Sequence, residues 1–98
     1  MVDGTYTIQV DTPFGSKQGT VTLRSEGDVV YGEIDAPVIG AVSTEGKLEG
    51  DVFTSEGEFK APLVGVVTYS LRGEVKDDDL HVVIDSSKGT INMDGVRA

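Results

Sequence analysis

The chain repeats itself. Tyr31-Gly-Glu-Ile-Asp-Ala-Pro-Val-Ile-Gly40 and Glu56-Gly-Glu-Phe-Lys-Ala-Pro-Leu-Val-Gly65 coincide at the Gly, Glu, Ala, Pro and closing Gly, and their other differences largely keep apolar character in place. The offset is 25 residues throughout. A shorter copy, Thr12-Pro13-Phe14-Gly15, ends 25 residues before Gly40, and a degenerate one, Ser86-Ser87-Lys88-Gly89, ends 24 residues after Gly65. A fixed internal period of this size marks one supersecondary unit used several times.

Between these Pro-Gly loops falls a second class of turn: Ser25-Glu26-Gly27-Asp28, Glu49-Gly50-Asp51 and Lys76-Asp77-Asp78-Asp79. Apolar alternation flanks each of them, which is the hairpin signature. In a meander, alternate connections lie at opposite ends of the sheet. The Pro-Gly loops are therefore expected at one end and the Gly-Asp turns at the other.

Period-two alternation gives the strands. The first puts Tyr6, Ile8 and Val10 on one face; the second offers Val21 and Leu23, and the third Val30, Gly32 and Ile34. The fourth carries Val42, Gly46 and Leu48, the fifth Phe53, Ser55, Gly57 and Phe59, and the sixth, longest, Val67, Tyr69, Leu71, Gly73 and Val75. Leu80, Val82 and Ile84 make the seventh, and Ile91, Met93 and Gly95 the eighth. No stretch has a helical period. A flat sheet with no helix to cover it exposes its apolar face, so closure is the economical solution. The fold expected is all-β: one domain over residues 1–98, an antiparallel up-and-down barrel of about eight strands. A two-sheet sandwich is the alternative, disfavoured because the connections are uniformly short and leave no Greek-key crossover. Glycines on the inward faces serve tight coiling, and they also leave space for a ligand.

Composition narrows the function. With 17 acidic and 8 basic residues the formal net charge is -9, which repels phosphate backbones and anionic lipid, so neither nucleic acid nor membrane is an expected partner. There is no cysteine, hence no disulfide and no thiolate chemistry. No apolar run approaches a membrane span, and Met1-Val2-Asp3-Gly4 does not read as a secretory signal, so the cytoplasm is the default location.

The Asp-Gly-Thr-Tyr start, Thr12-Pro-Phe-Gly15, the Gly-Asp turns, the two Ala-Pro-x-x-Gly loops and the terminal Gly95-Val-Arg97 together resemble a family of small bacterial domains with repeated Thr-Pro-x-Gly loops. These look like miniature calycins, the superfamily of lipocalin and avidin meander barrels. The resemblance spans essentially the whole chain and implies a calycin-like fold without an activity. The Gly-x-Trp opening of lipocalins and the Trp walls of avidin biotin sites have no counterpart, since the chain contains no Trp. Fatty-acid-binding barrels hold a carboxylate with interior Arg and Tyr; Arg97 sits at a chain end, where solvation is the ordinary state.

Catalytic and metal motifs are not apparent. His81 alternates onto the face opposite Leu80, Val82 and Ile84, with no second His or Cys to form a zinc site and no nucleophile motif beside it. Asp77-Asp78-Asp79 lacks the spaced ligands of a calcium loop and sits where a polar turn belongs. Glu33 and Glu58 occupy matching repeat positions but point outward. The Pro-Gly loops are unusual in carrying Phe14, Val38, Ile39, Leu63 and Val64, which gather at one end of the barrel where loops are ordinarily polar. They either plug the mouth or form an apolar rim. With Phe53, Phe59 and Tyr69 from the interior, they make the candidate ligand-binding set. The reading is a non-catalytic module binding a small apolar ligand, without cofactor or metal. The alternative is a structural or protein-interaction domain that forms homodimers or docks on a partner through the same rim.

Overall fold

The inward and outward faces read from alternation are the inside and outside of a closed barrel. The computed structural model describes residues 2–12, 15–36, 40–61 and 65–98. Its strands run in chain order: β1 (Gly4–Thr12), β2 (Gly15–Glu26), β3 (Val29–Ala36), β4 (Gly40–Glu49), β5 (Val52–Ala61), β6 (Gly65–Lys76), β7 (Asp79–Ser86) and β8 (Gly89–Arg97). Each pairs antiparallel with its sequence neighbour, and β8 returns to β1 through Tyr6↔Arg97 to Val10↔Met93. Neighbours in the closed barrel are neighbours in sequence, so the sandwich alternative is not adopted.

Each copy of the repeat is one hairpin. The connections β1–β2, β3–β4, β5–β6 and β7–β8 share one end, and each closes on a glycine in a conformation that L side chains rarely adopt: Gly15 (φ 104°), Gly40 (82°), Gly65 (91°) and Gly89 (122°). Even the degenerate copy keeps this geometry, with the Ser86 hydroxyl donating to the Gly89 carbonyl at 2.6 Å. At the opposite end, the turns place Gly27 (φ 63°), Gly50 (64°) and Asp77 (57°) in the same slot.

The inward side chains form one core, from Tyr6, Ile8 and Val10 round to Leu80, Val82, Ile84 and Met93. Its floor, at the Gly-Asp end, is closed by the chain termini. The Tyr6 hydroxyl donates to the Val2 carbonyl at 2.6 Å, and the Arg97 guanidinium lies 5.1 Å from the Tyr6 ring centre. Arg97 also donates to the Asp3 carbonyl and, at 3.1 Å, to the Asp78 carboxylate. The expectation of a solvated Arg97 is therefore corrected: its side chain is only 28% exposed, folded over an aromatic ring it helps to seal. Burial of Tyr6 in this floor pushes its phenol above the ordinary tyrosine value, with the Arg97 charge opposing.

Asp3 ties the N-terminal segment to β2. Its carboxylate accepts the Ser25 hydroxyl at 2.5 Å and the Ser25 amide at 3.0 Å, and these bonds, the hydroxyl first, hold it below the ordinary carboxylate value. A group whose folded-state pKa is depressed stabilises the fold above its unfolded value of 3.8, and that contribution is lost as pH falls through the folded value. Ser25→Ala is expected to lower the thermal midpoint at neutral pH, and the gap from wild type should shrink on acidification below pH 3.8. A gap that stays constant with pH would show that the Asp3 carboxylate is not the group responsible.

Asp77 carries the cost that Gly27 and Gly50 avoid. Asp77→Gly should stabilise the barrel by about 0.5 kcal/mol, read as a higher urea midpoint with an unchanged slope.

Candidate functional site

Among the described residues, the shortest ladder between neighbouring strands lies along one seam. From the Glu49-Gly50-Asp51-Val52 turn, β4 and β5 pair only at Glu49↔Val52, Leu48↔Phe53 and Lys47↔Thr54. The next ladder, β5 with β6, runs unbroken from Val52↔Glu74 to Ala61↔Gly65. The sequence explains the early end. Carried two residues further, past Gly46↔Ser55, the β4–β5 register would set Glu45 directly against Glu56, and like charges in that position are destabilising. Gly46 and Gly57 flank the pair and add no packing. At Gly46 the backbones come so close that a Cβ there would lie 2.1 Å from the Thr54 carbonyl oxygen. Beyond that crossing the strands part.

Side chains bridge the seam above the crossing. The Ser55 hydroxyl donates to the Glu45 carbonyl at 2.8 Å, the acceptor that the next ladder bond would have used. Thr44 Oγ1 lies 2.5 Å from Ser55 Oγ and 2.9 Å from the Tyr69 hydroxyl. Three hydroxyls from three strands thus form one chain, and among the described residues no buried side-chain polar atom is left without a partner.

Beside this chain, toward the Pro-Gly end, lies an apolar hollow lined by Ile34, Val42, Thr44, Phe59, Tyr69, Leu71 and Ile84. Its free volume is about 10 Å³, the space of a single water. The Phe59 and Tyr69 rings stand 5.6 Å apart at 53°. Val42, Phe59, Tyr69 and Ile91 are only partly buried, as is Leu48 beside Phe53 near the Gly-Asp end, whereas Tyr6 and Met93 are fully buried. Gly57 has inward parity on β5, yet it is exposed. Partly exposed side chains are thus more frequent in the Pro-Gly half of the barrel, although Val10, Ala36, Val67 and Ile84 there are buried.

Of the candidate binding residues, the structure brings Phe59 and Tyr69 together and keeps Phe53 apart. The Phe53 ring occupies the space that a side chain at Gly73 would need, with its Cζ 2.1 Å from a built Cβ, and belongs to the Gly-Asp half. Phe14, Val38, Ile39, Leu63 and Val64 lie outside the described residues. Sequence reasoning overlooked Thr44 and left Ser55 without a role. The signal was available: both are polar residues at inward positions of an alternating strand.

The outer surface carries less. His81 faces out as expected and contacts the Asp94 carboxylate at 2.5 Å, both side chains well exposed. Among the described residues no group of three or more His, Cys, Asp or Glu side chains is placed to hold a metal ion. Glu33 and Glu58 are exposed, and Asp77 and Asp78 form a polar turn with Asp79 opening β7.

No family model matches the chain, and no relative is found among curated proteins. Solved structures do share its architecture. A redesigned β-barrel, mFAP1, bound to DFHBI, superposes with a TM-score of 0.67 at 10% identity, over 99% of this chain and 94% of that one. Another redesigned barrel, b11L5F_LGL, gives 0.66 at 14% identity, over 99% and 91%. A fluorescence-activating β-barrel designed de novo gives 0.57 at 16% identity, over 98% and 93%. At these identities the likeness is one of fold: an eight-stranded antiparallel meander barrel.

The hydroxyl chain should carry measurable stability. Ser55→Ala removes the donor to a backbone carbonyl and a partner of Thr44, and is expected to cost about 1–2 kcal/mol in urea unfolding. Tyr69→Phe removes one bond whose partner Thr44 keeps another, and should cost less, about 0.5–1 kcal/mol. The reverse order would show that the Ser55 bridge does not hold the seam.

Proposed function

We propose that the chain is a non-catalytic binding module that takes a small apolar molecule into the Pro-Gly half of its barrel. The observation that carries this reading is the apolar hollow walled by partly exposed side chains in that half. The hollow presents aliphatic walls from Ile34, Val42, Leu71 and Ile84, a pair of half-buried aromatic rings, and a hydroxyl chain on one side. That is the usual composition of a ligand site: mostly apolar, with a few polar groups to fix orientation. The ligand class follows from the lining. A compact, flat, uncharged molecule with one hydrogen-bonding atom would meet Phe59 and Tyr69 with its face and the Thr44–Tyr69 hydroxyls with its polar end.

Entry requires the two rings to move, because the hollow at rest holds about 10 Å³. Their partial exposure makes that movement inexpensive compared with displacing a fully buried side chain. The mFAP0 and mFAP1 barrels bound to DFHBI support the reading, since barrels of this architecture and size accommodate a small molecule. A calycin-like carrier acting in the cytoplasm is the setting that the sequence suggests.

Thermal unfolding in the presence of a panel of small flat aromatic compounds tests the proposal. A true ligand at a hundred times its dissociation constant stabilises the native state by about 2.7 kcal/mol. Phe59→Trp, which fills the hollow with a larger ring, is expected to abolish the shift while leaving the barrel folded by circular dichroism. A panel without hits, or a shift unchanged by Phe59→Trp, would sink the reading.

A further inference from the structure

We infer that the open seam is a docking edge for an extended segment of a partner protein in which apolar residues alternate with Lys or Arg. The inference stands on the unpaired edge of β5 and does not require the hollow to hold a small molecule.

Hydrogen-bond direction along β5 follows from its neighbours. The Val75 amide donates to the Asp51 carbonyl at 3.0 Å, so in the β5–β6 register the odd-numbered residues of β5 exchange bonds with β6. Glu56, Glu58 and Lys60 therefore turn their N–H and C=O groups away from β6 and toward β4. The Leu48 amide donates to the Asp28 carbonyl at 2.8 Å, so the even-numbered residues of β4 serve β3, and Ala41, Ser43 and Glu45 face the seam from the other side. The β4–β5 ladder stops at Lys47↔Thr54, below all of these groups. The Glu45 carbonyl is taken by the Ser55 hydroxyl; the β5 groups are left outside the ladder, and a row of unused donors and acceptors on a strand edge is a template for another strand.

The chemistry of the edge selects its occupant. Outward along the seam stand Glu45, Glu56 and Glu58, with Glu33 one strand further on and Lys47 and Lys60 at its two ends. These four glutamates are exposed, and none forms an ion pair with a described residue. At the foot of the seam an open cleft of about 400 Å³ is lined by Glu45, Lys47, Thr54, Ser55, Glu56 and Ser70. Inward, the same edge borders Gly57, which is exposed, and the half-buried Phe59 and Val42. A strand added antiparallel to β5 alternates its side chains in step with β5. One set would lie beside the outward glutamates and the other beside Gly57 and Phe59. Basic residues suit the first set and apolar ones the second. The net charge of -9 adds attraction for such a segment.

A fluorescein-labelled peptide of about seven residues, alternating Val and Lys, is the probe, with binding to the intact protein read by anisotropy. Residues paired face to face share a side of the sheet, so the Lys positions, opposite Glu56 and Glu58, are the ones whose N–H groups meet the β5 edge. N-methylation of the Lys residues should weaken binding by about tenfold or more, while N-methylation of the Val residues changes it by less than about twofold. The double variant Glu56→Gln, Glu58→Gln should also weaken binding, by about threefold to tenfold, and raised salt should reproduce that loss in the wild type. A Val-Glu peptide should not bind. Equal effects of the two N-methyl patterns would overturn strand addition, and equal binding of the Val-Glu peptide would overturn the charge selection. A concentration-dependent dimer that excludes the Val-Lys peptide would assign the edge to a second copy of the chain instead, and the inference would fall.

Discussion

Closing eight short strands on themselves leaves an interior so narrow that large side chains fit only where a neighbouring position supplies none. Phe53 and Gly73 are the pair on which this depends. They face one another in the β5–β6 register, and the ring occupies the volume that any side chain at Gly73 would fill. With that ring in place Tyr6, Ile8, Leu80 and Met93 are almost completely buried in the same core. Without it the lower barrel would hold a void at its centre, and cavities in a close-packed interior cost stability in proportion to their size. The floor of Val2, Tyr6 and Arg97 then caps that core, so one half of the barrel acts as a rigid base for the other.

That base sets the character of the seam. Below Gly46 the β4–β5 ladder is short but anchored by the packed core; above it nothing compels the strands to remain paired. A like-charged pair at Glu45 and Glu56, and glycines in place of side chains that would grip across the gap, tip the balance toward separation. The Ser55 hydroxyl substitutes for the missing ladder bond, and Thr44 and Tyr69 complete the closure through side chains. A wall held by side-chain hydroxyls can part more readily than one held by a continuous ladder, because fewer bonds must break together. The partly exposed hollow and the open edge are therefore two consequences of one early end to pairing.

Much of this fold was legible in the sequence. The strand order, the inward parity of every strand and the placement of the two turn classes at opposite ends follow from alternation and from the 25-residue repeat, because both are local signals. Two features were not legible. Alternation assigns Arg97 a face but cannot tell that Tyr6, distant in sequence, will lie beneath its guanidinium; that contact exists only once β8 has returned to β1. Alternation likewise assigns Ser55 and Gly57 to the interior but cannot say that the ladder beside them fails. That failure depends on which residue of β4 comes to face Glu56, and register across a turn is a property of the pair of strands. Phe53 was grouped with Phe59 and Tyr69 for the same reason: shared parity says nothing about height along the barrel.

The repeat itself explains why the site lies where it does. Shifted by 25 residues, Ile34 corresponds to Phe59, Thr44 to Tyr69, and Val30 to Ser55. Ile34, Phe59, Thr44 and Tyr69 all line the hollow, and Thr44 and Tyr69 are hydrogen-bonded to one another. The hollow is therefore built from equivalent positions of two adjacent hairpins, facing each other across the seam between them. Had the copies stayed identical, small residues would have met small ones, or rings would have met rings. Their divergence puts a ring beside a branched aliphatic chain and a long phenol within reach of a short hydroxyl, which allows contact without overcrowding. Ser55 completes the set: its counterpart Val30 is a buried apolar residue of a complete ladder, whereas Ser55 stands where the ladder stops and supplies the hydroxyl that the gap requires. The residues that make this interior distinctive are those at which the two copies have parted.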